Sequence, residues 1–319
     1  MAQLQELRRR IRSISNTRQT TKAMQLVDAT KLRRAQAASK RSRDYIEATM
    51  ATLQRLLSQD IDQSDLTLWR RDKVRSVAIM VIASDRGLAG AYNHNVAARL
   101  RTQVAKYEQE GIQVKVVAIG AQAIRVAKHL KHATILEQIV GRSTDPGIND
   151  VKPLAEFLRT QYIEGTVDAI EVIYTHSISA LKQEVRVLPI WPVDLKAAGG
   201  AEGGASVGAQ AQPSTNGVPT ATGPAEPKDR PHVITLLEPS AEEVVDVALE
   251  RLFDASVLNA AQEAGVSEHA MRMLAMRNAT DNASDLIDSL RLQINTIRQA
   301  GITQEISEIT GAAAAIGEQ

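Results

Sequence analysis

Cysteine is absent from this chain of 319 residues. Disulfides, thiolate metal sites and cysteine nucleophiles are therefore excluded, although the cellular compartment does not follow from this absence alone. Aromatic residues are scarce as well, at 3% of the sequence with 2 Phe and 2 Trp. A core that depends on Ala, Leu, Ile and Val fits helix-on-helix packing better than an all-β fold.

Proline is missing from both ends of the chain. Residues 1–57 contain neither proline nor glycine, and residues 240–319 contain no proline. Because proline kinks or ends a helix, its absence allows each stretch to form one long helix. No apolar run approaches 18 residues, so we expect no membrane-spanning helix, and the arginine-rich first residues do not fit a secretory signal.

Both end stretches repeat apolar residues at the three- and four-residue spacing of a coiled coil. In the first stretch, a polar interruption at Arg18 and Thr21 separates two apolar groups: Leu4, Leu7, Ile11 and Ile14, then Met24, Val27 and Leu32. In the last stretch the apolar positions are Ile294, Ile297, Ile302, Ile306, Ile309, Ala313 and Ile316. Each stretch therefore needs a long partner helix.

The charges of the two stretches are opposite. Residues 1–45 hold 12 Lys/Arg and 3 Asp/Glu, a net charge of +9, whereas residues 240–319 hold 5 Lys/Arg and 13 Asp/Glu, a net charge of −8. Surface ion pairs are individually weak. We therefore expect charge to determine which helices pair, and the apolar seam, meaning the stripe of apolar residues along each helix, to stabilise the pair. We predict that residues 1–57 and 240–319 form an antiparallel coiled coil. Pairing with another protein or a second copy is the alternative.

Between the helices, the pattern changes to short apolar runs that alternate with helical segments. Strands are predicted at 77–82, 114–119, 134–140, 167–174, 185–190 and 232–237, with helices near 93–110, 121–130 and 150–162. This alternation predicts a Rossmann-like α/β domain with a mainly parallel sheet over residues 74–239, preceded by a linker at 58–73. Ser240 and Glu243 predict a capping box at the start of the last helix.

One segment of the predicted domain differs in composition. Residues 196–230 contain 7 Gly, 8 Ala and 4 Pro among 35 residues, with few large aliphatic side chains. Such a composition cannot bury enough surface to offset the entropy of ordering, so we predict a flexible insert.

No pattern in the sequence indicates catalysis or a cofactor. Gly87 and Gly90 follow the first strand, but neither a G-x-G-x-x-G nor a G-x-x-x-x-G-K-[ST] motif is present, so ordinary turn glycines are the better interpretation. His129 and His132 have no carboxylate or thiol at ligand spacing, which argues against a metal site. The basic first helix has Tyr45 as its one aromatic residue, so contact with protein or solvent is favoured over nucleic acid.

Several long motifs resemble the gamma subunit of F-type, proton-translocating ATP synthases. They cover nearly the whole chain in the family's order: RSISNTRQTTKAMQLV at 12–27, KLRRA at 31–35, SDRGLAGAYN at 84–93, EHAMRMLAMRNATDNA at 268–283 and NTIRQAGITQEISEI at 295–309. The insert is the exception, because photosynthetic members of the family carry a regulatory segment with a cysteine pair at about that place. Regulation of that kind is excluded in a chain without cysteine.

The resemblance implies a central rotor stalk and not an enzyme. Its coiled coil would stand inside a hexamer of alpha and beta subunits, and its α/β domain would contact the epsilon subunit and the membrane c-ring. Rotation would couple proton flow to ATP synthesis or hydrolysis in the hexamer. No cofactor is implied, and association with the cytoplasmic face of a bacterial cell membrane, or the equivalent side of another energy-transducing membrane, would be through the c-ring alone.

The resemblance also implies functional positions. Lys31, Arg33 and Arg34 match residues near an acidic loop of a beta subunit, although a merely solvated face is the alternative for the two arginines. Positions linked to coupling and hexamer contact are matched by Met24, Arg272, Arg298, Gln299, Thr303 and Glu305. Met24 is expected to pack near the segment 298–305 of the other helix. A static coiled-coil scaffold and a Rossmann-type enzyme remain alternative functions.

Overall fold

A computed structural model describes residues 2–57, 73–141, 145–179, 182–192, 238 and 240–317 of the chain. The predicted insert 196–230, the predicted strand 232–237 and residues 58–72 of the predicted linker lie outside this range. In chain order the elements are α1 (Ala2–Leu57), β1 (Ser76–Ile82), α2 (Tyr92–Gln109), β2 (Gln113–Ile119), α3 (Ala121–Ala127), β3 (Ala133–Ile139), α4 (Ile148–Ile163), β4 (Ala169–Ser177), β5 (Gln183–Trp191) and α5 (Ala241–Gly317).

The chain divides into two compact units. The helix-pair unit consists of residues 1–34, 86–91 and 268–319, and the sheet unit consists of residues 35–85 and 92–267. Each unit therefore contains part of α1 and part of α5. The division into segments 1–57, 74–239 and 240–319 stays a prediction.

The sheet unit contains a five-stranded sheet in the order β3-β2-β1-β4-β5. β1, β2, β3 and β4 are parallel, and β5 runs antiparallel to β4 at one edge. All seven residues of β1 are buried, as expected for a continuous apolar run at the centre of a parallel sheet. The predicted mainly parallel sheet with an edge strand near 185–190 is confirmed.

Two apolar cores cover the two faces of the sheet. One face packs against α2 and α3, with Val96, Leu100 and Ile124 among the buried residues. The other face packs against α4 and against the parts of α1 and α5 that belong to the sheet unit, through side chains such as Leu53 and Phe253. The two terminal helices are thus part of the core of the sheet unit.

The contacts of the helix-pair unit show that α1 and α5 run antiparallel there. In the helix-pair unit Thr21 contacts Thr280, and Asp28 contacts His269, so the numbers rise along one helix as they fall along the other. In the sheet unit, the hydroxyl of Ser42 donates to Gln262 at 2.6 Å. The predicted antiparallel pairing is confirmed. At the start of α5, the backbone N–H of Glu243 donates to the side chain of Ser240 at 3.2 Å, as expected for the predicted N-cap.

Two features of the predicted seam are wrong. Val27 is 55% exposed, and its neighbour Asp28 is buried instead. Ile302, Ile306 and Ile309 are 49%, 56% and 68% exposed. The physical reason is length: with Thr21 opposite Thr280, the start of α1 lies opposite residue ~299 of α5, so these three isoleucines extend past the end of the partner helix.

Candidate functional site: polar junctions and the exposed helix end

A cluster of buried charges joins three segments of the helix-pair unit. Arg272 of α5 lies 2.6 Å from Glu268 and 3.7 Å from Asp28 of α1, and these three side chains are 7%, 1% and 8% exposed. Nδ1 of His269 lies 2.8 Å from Oδ1 of Asp28. The guanidinium also donates to the backbone carbonyl of Gly87 at 3.4 Å. Arg272 therefore contacts α1, its own helix and the loop 86–91.

The loop 86–91 has an unusual backbone where it approaches α5. Leu88 has a φ of 64° and Gly90 a φ of 57°, both in the left-handed region. A Cβ atom placed on Gly90 would lie 3.9 Å from the Cβ of Ala275, so the loop and the helix approach closely at this point. A non-glycine residue at positive φ costs free energy, and the surrounding structure must hold Leu88 there. The side chain of Leu88 is 64% exposed.

The polar interruption in the seam is satisfied by hydrogen bonds. The hydroxyls of Thr21 and Thr280 lie 2.8 Å apart, and either can be the donor. When Thr280 donates its one hydroxyl proton to the carbonyl of Met276, at 2.8 Å within its own helix, Thr21 is the donor to Thr280. Thr21 is buried, whereas Arg18 is exposed, so only the threonine occupies the seam.

The predicted site residues of α1 lie on the outer part of the helix pair. Met24 and Lys31 are half-buried, and Arg33 and Arg34 are exposed. Both arginines can therefore reach an acidic partner. The buried members of this turn are Leu32 and Ala35, which face the seam.

The predicted site residues of α5 fall into two groups. Arg298, Gln299, Thr303 and Glu305 are exposed and lie near or beyond the end of the paired region. Thr303 donates its hydroxyl to the carbonyl of Gln299 at 3.0 Å. Arg272, in contrast, is buried in the charge cluster, so its guanidinium acts inside the chain.

The expected contact between Met24 and the segment 298–305 is wrong. Thr21 lies against Thr280, so Met24 is level with about residue 277 of α5. Arg298 is some 20 residues further along, which at 1.5 Å per residue is ~30 Å. The earlier expectation relied on motif matching, which gives no register between the two helices.

A second polar junction lies in the sheet unit and is centred on Glu263 of α5. One carboxylate oxygen lies 2.6 Å from a terminal nitrogen of Arg43 on α1, and the other lies 2.6 Å from Nδ1 of His176 on β4. Burial alone would raise the pKa of Glu263, but its hydrogen bonds and charge attraction with His176 and Arg43 hold the pKa below the usual value. Burial, and then the Glu263 carboxylate, raise the pKa of Tyr174, whose phenol stays protonated.

Sequence reasoning missed Asp28, Glu263 and His176. For Asp28 a signal was available, since it lies seven residues after Thr21 and thus at a seam position, where a charge needs a partner. The same signal was available for Glu263, a charged residue that lies between the buried residues Ala260 and Ala264 of α5. The partner of each carboxylate is distant in sequence, so the pattern alone could not identify it.

Among the described residues, the cavity at the carboxyl edge of the parallel strands is too small for a nucleotide. A cavity of about 10 Å³ lies there, lined by residues including Ile82, Ile119 and Ala261. Small-molecule sites are typically ~300–1,000 Å³. A Cβ atom on Gly120, which has a φ of +93°, would lie 2.0 Å from the carbonyl oxygen of Ala83, so the backbone is close-packed at this edge.

Among the described residues, no group of three or more His, Cys, Asp or Glu side chains could hold a metal ion. None of the described helices is both long and apolar enough to cross a membrane.

Comparison with known proteins gives a consistent result over nearly the full length. A family model described as ATP synthase matches residues 3–316. The chain is 34% identical over 317 residues to the ATP synthase gamma chain of Heliobacterium modesticaldum, covering 99% of this chain and 100% of that protein.

Two solved structures share the fold. A chain in the cryo-EM structure of Euglena gracilis mitochondrial ATP synthase (OSCP, F1 and c-ring, rotational state 3) superposes with a TM-score of 0.61 at 18% identity, covering 99% of this chain and 95% of that one. A chain in the central stalk and c-ring structure of Tetrahymena thermophila mitochondrial ATP synthase gives a TM-score of 0.53 at 17% identity, covering 82% and 99%. At these identities the likeness is one of fold.

Proposed function

This chain belongs to the ATP synthase gamma-chain family, and on that premise we propose that it is the central rotor stalk of an F-type ATP synthase. The paired helices stand in a hexamer of alternating alpha and beta subunits, and the sheet unit contacts the epsilon subunit and the c-ring. The observation that carries this proposal is the match to a gamma chain over 99% of the sequence.

In this proposal the chain transmits rotation and supplies no catalytic group. Rotation of an asymmetric stalk presents a different surface to each beta subunit in turn, and each surface favours a different conformation of that subunit. The catalytic sites of ATP synthesis and hydrolysis belong to the hexamer. The chain is held through the c-ring at the cytoplasmic face of a bacterial cell membrane, or at the equivalent side of another energy-transducing membrane.

The exposed residues of the helix pair are the proposed contacts with the hexamer. Arg33 and Arg34 present positive charge to an acidic loop of a beta subunit, with Lys31 beside them on the same helix. Near the end of α5, Arg298, Gln299, Thr303 and Glu305 offer exposed polar groups. The exposed apolar side chains of Ile302, Ile306 and Ile309 lie on the same segment, where α1 no longer covers α5.

Arg272 has a different proposed role in coupling. Its buried guanidinium contacts Asp28, Glu268 and the carbonyl of Gly87, so it positions the loop 86–91 on the helix pair. A substitution at Arg272 would then change coupling through the shape of the unit and not through a lost contact with the hexamer.

Subunit content tests the proposed function. The chain is purified from its native membranes by an affinity tag, and the associated proteins are identified and counted by mass spectrometry. We expect alpha, beta, epsilon and c subunits, with one copy of this chain per alpha/beta hexamer. Recovery of the chain with none of these subunits would contradict the proposal and favour a scaffold with no rotary role.

A further inference from the structure

We propose that Glu263 is a positioning residue that fixes the carboxyl end of β4 to the α1–α5 helix pair and thereby transmits rotation between the sheet and the helices. The part of this proposal that concerns rotation rests on the function proposed above. The part that concerns the contact between β4 and the helices is independent of it. All of the residues involved belong to the sheet unit.

The geometry of the carboxylate joins three elements through one side chain. Its Oε1 accepts from Arg43 of α1, and its Oε2 accepts from Nδ1 of His176 at the end of β4, each at 2.6 Å. The Glu263 side chain is 7% exposed, against 18% for His176 and 50% for Arg43. Because each oxygen accepts from a different element, a shift of either element would strain the hydrogen bond to the other.

Neighbouring hydrogen bonds join the same stretch of α5 to β4 and α1. One turn after Glu263, the buried hydroxyl of Ser267 donates to the carbonyl of Thr175 at 2.6 Å. One residue before it, Gln262 accepts from Ser42 of α1. Polar contacts thus extend over more than one turn of α5.

These polar contacts add a directional constraint to the surrounding core. Apolar burial is non-directional, whereas each of these hydrogen bonds joins one named atom of the sheet or of α1 to one named atom of α5. Buried charged pairs are better suited to fixing register than to adding stability. A stalk that transmits rotation must resist a shift of the helices against the sheet, since any sliding between them would absorb part of the motion.

The test uses the assembled complex with Glu263→Gln, which keeps the shape of the side chain but removes its charge. The control is Glu156→Gln, which removes an exposed carboxylate that lies 3.8 Å from Lys152 on α4. We expect the rate of amide hydrogen exchange at residues 174–177 to rise about tenfold or more. This is the factor that corresponds to the loss of one hydrogen bond to a charged group. We also expect fewer protons pumped per ATP hydrolysed, with subunit content unchanged.

Arg43 provides a second set of variants that does not disturb the core, since half of its side chain is exposed. Arg43→Ala is expected to reproduce the loss of coupling, and Arg43→Lys to restore it, because one terminal nitrogen makes the contact. Normal exchange at 174–177 in Glu263→Gln would overturn the proposed contact. Raised exchange with a normal pumping ratio would overturn its role in rotation, whereas absence of the chain from the hexamer would instead contradict the proposed function.

Discussion

Replacing Arg272 by methionine tests whether the buried charge cluster holds the helix-pair unit together. The guanidinium lies between Glu268 and Asp28, at 2.6 Å and 3.7 Å, and none of the three side chains is more than 8% exposed. Methionine retains an apolar stem but removes the positive charge from beside two carboxylates. Breaking a buried ion pair by removing one partner costs about 3–5 kcal/mol, and we expect the free energy of unfolding to fall by that amount.

Two further variants separate charge from shape in the same experiment. Arg272→Lys keeps the charge but loses the planar fork, and we expect a cost of about 1.5 kcal/mol. Arg277→Met removes an arginine whose exposed pair with Asp281 spans 3.9 Å, and we expect a change below about 0.5 kcal/mol. The free energy of unfolding of all three variants is measured by urea denaturation of the purified chain, monitored by far-UV circular dichroism. A cost below about 1 kcal/mol for Arg272→Met, with an unchanged denaturant slope, would contradict a stabilising charge cluster at this position.

The remaining predictions concern Gly120, Glu263 and Met24, with Gly87→Ala as the control for the first. Gly120→Ala places a Cβ atom 2.0 Å from a backbone oxygen at a φ of +93° and should destabilise the chain by about 3 kcal/mol or more, whereas Gly87→Ala, which meets no atom within 4 Å, should be nearly neutral by the same denaturation assay. The folded-state pKa of Glu263 is lowered, so its contribution is present above the unfolded pKa of about 4.3 and is lost as the pH falls through the folded value. Glu263→Gln should therefore flatten the acid limb of stability against pH, and an unchanged slope would count against the ion pairs. Met24→Lys places a charge on a half-buried position of α1 and, by the coupling role that the family resemblance implies, should lower the protons pumped per ATP hydrolysed in an intact complex. A normal ratio would contradict that role.

Much of the fold could be predicted because each element leaves a periodic signal in its own sequence. The continuous apolar run at 77–82 predicts a strand, and the structure has β1 at Ser76–Ile82. The absence of proline and the repeat of apolar residues predict the two terminal helices, which the structure gives as Ala2–Leu57 and Ala241–Gly317. These signals are local, so they give the position of an element along the chain but not the elements that it contacts.

What could not be predicted depends on contacts between residues that are distant in sequence. The seam pattern favoured Val27 because it is apolar, but Asp28 is buried there, since Arg272 and His269 of α5 supply its partners. The exposure of Ile302 and Ile309 depends on where α1 begins relative to α5, which the spacing within α5 does not contain. For the same reason, motif matching suggested a coupling role for Arg272 without indicating that its side chain is buried.

Direct observation of rotation tests the central claim. Because the chain has no cysteine, a cysteine in place of the exposed Lys131 on the sheet unit gives it a single thiol for attaching a bead. The complex is immobilised through its beta subunits, and the bead is followed by microscopy after ATP is added. We expect continued rotation in one direction; a bead that stays still while the same complex hydrolyses ATP would contradict the proposed rotary function.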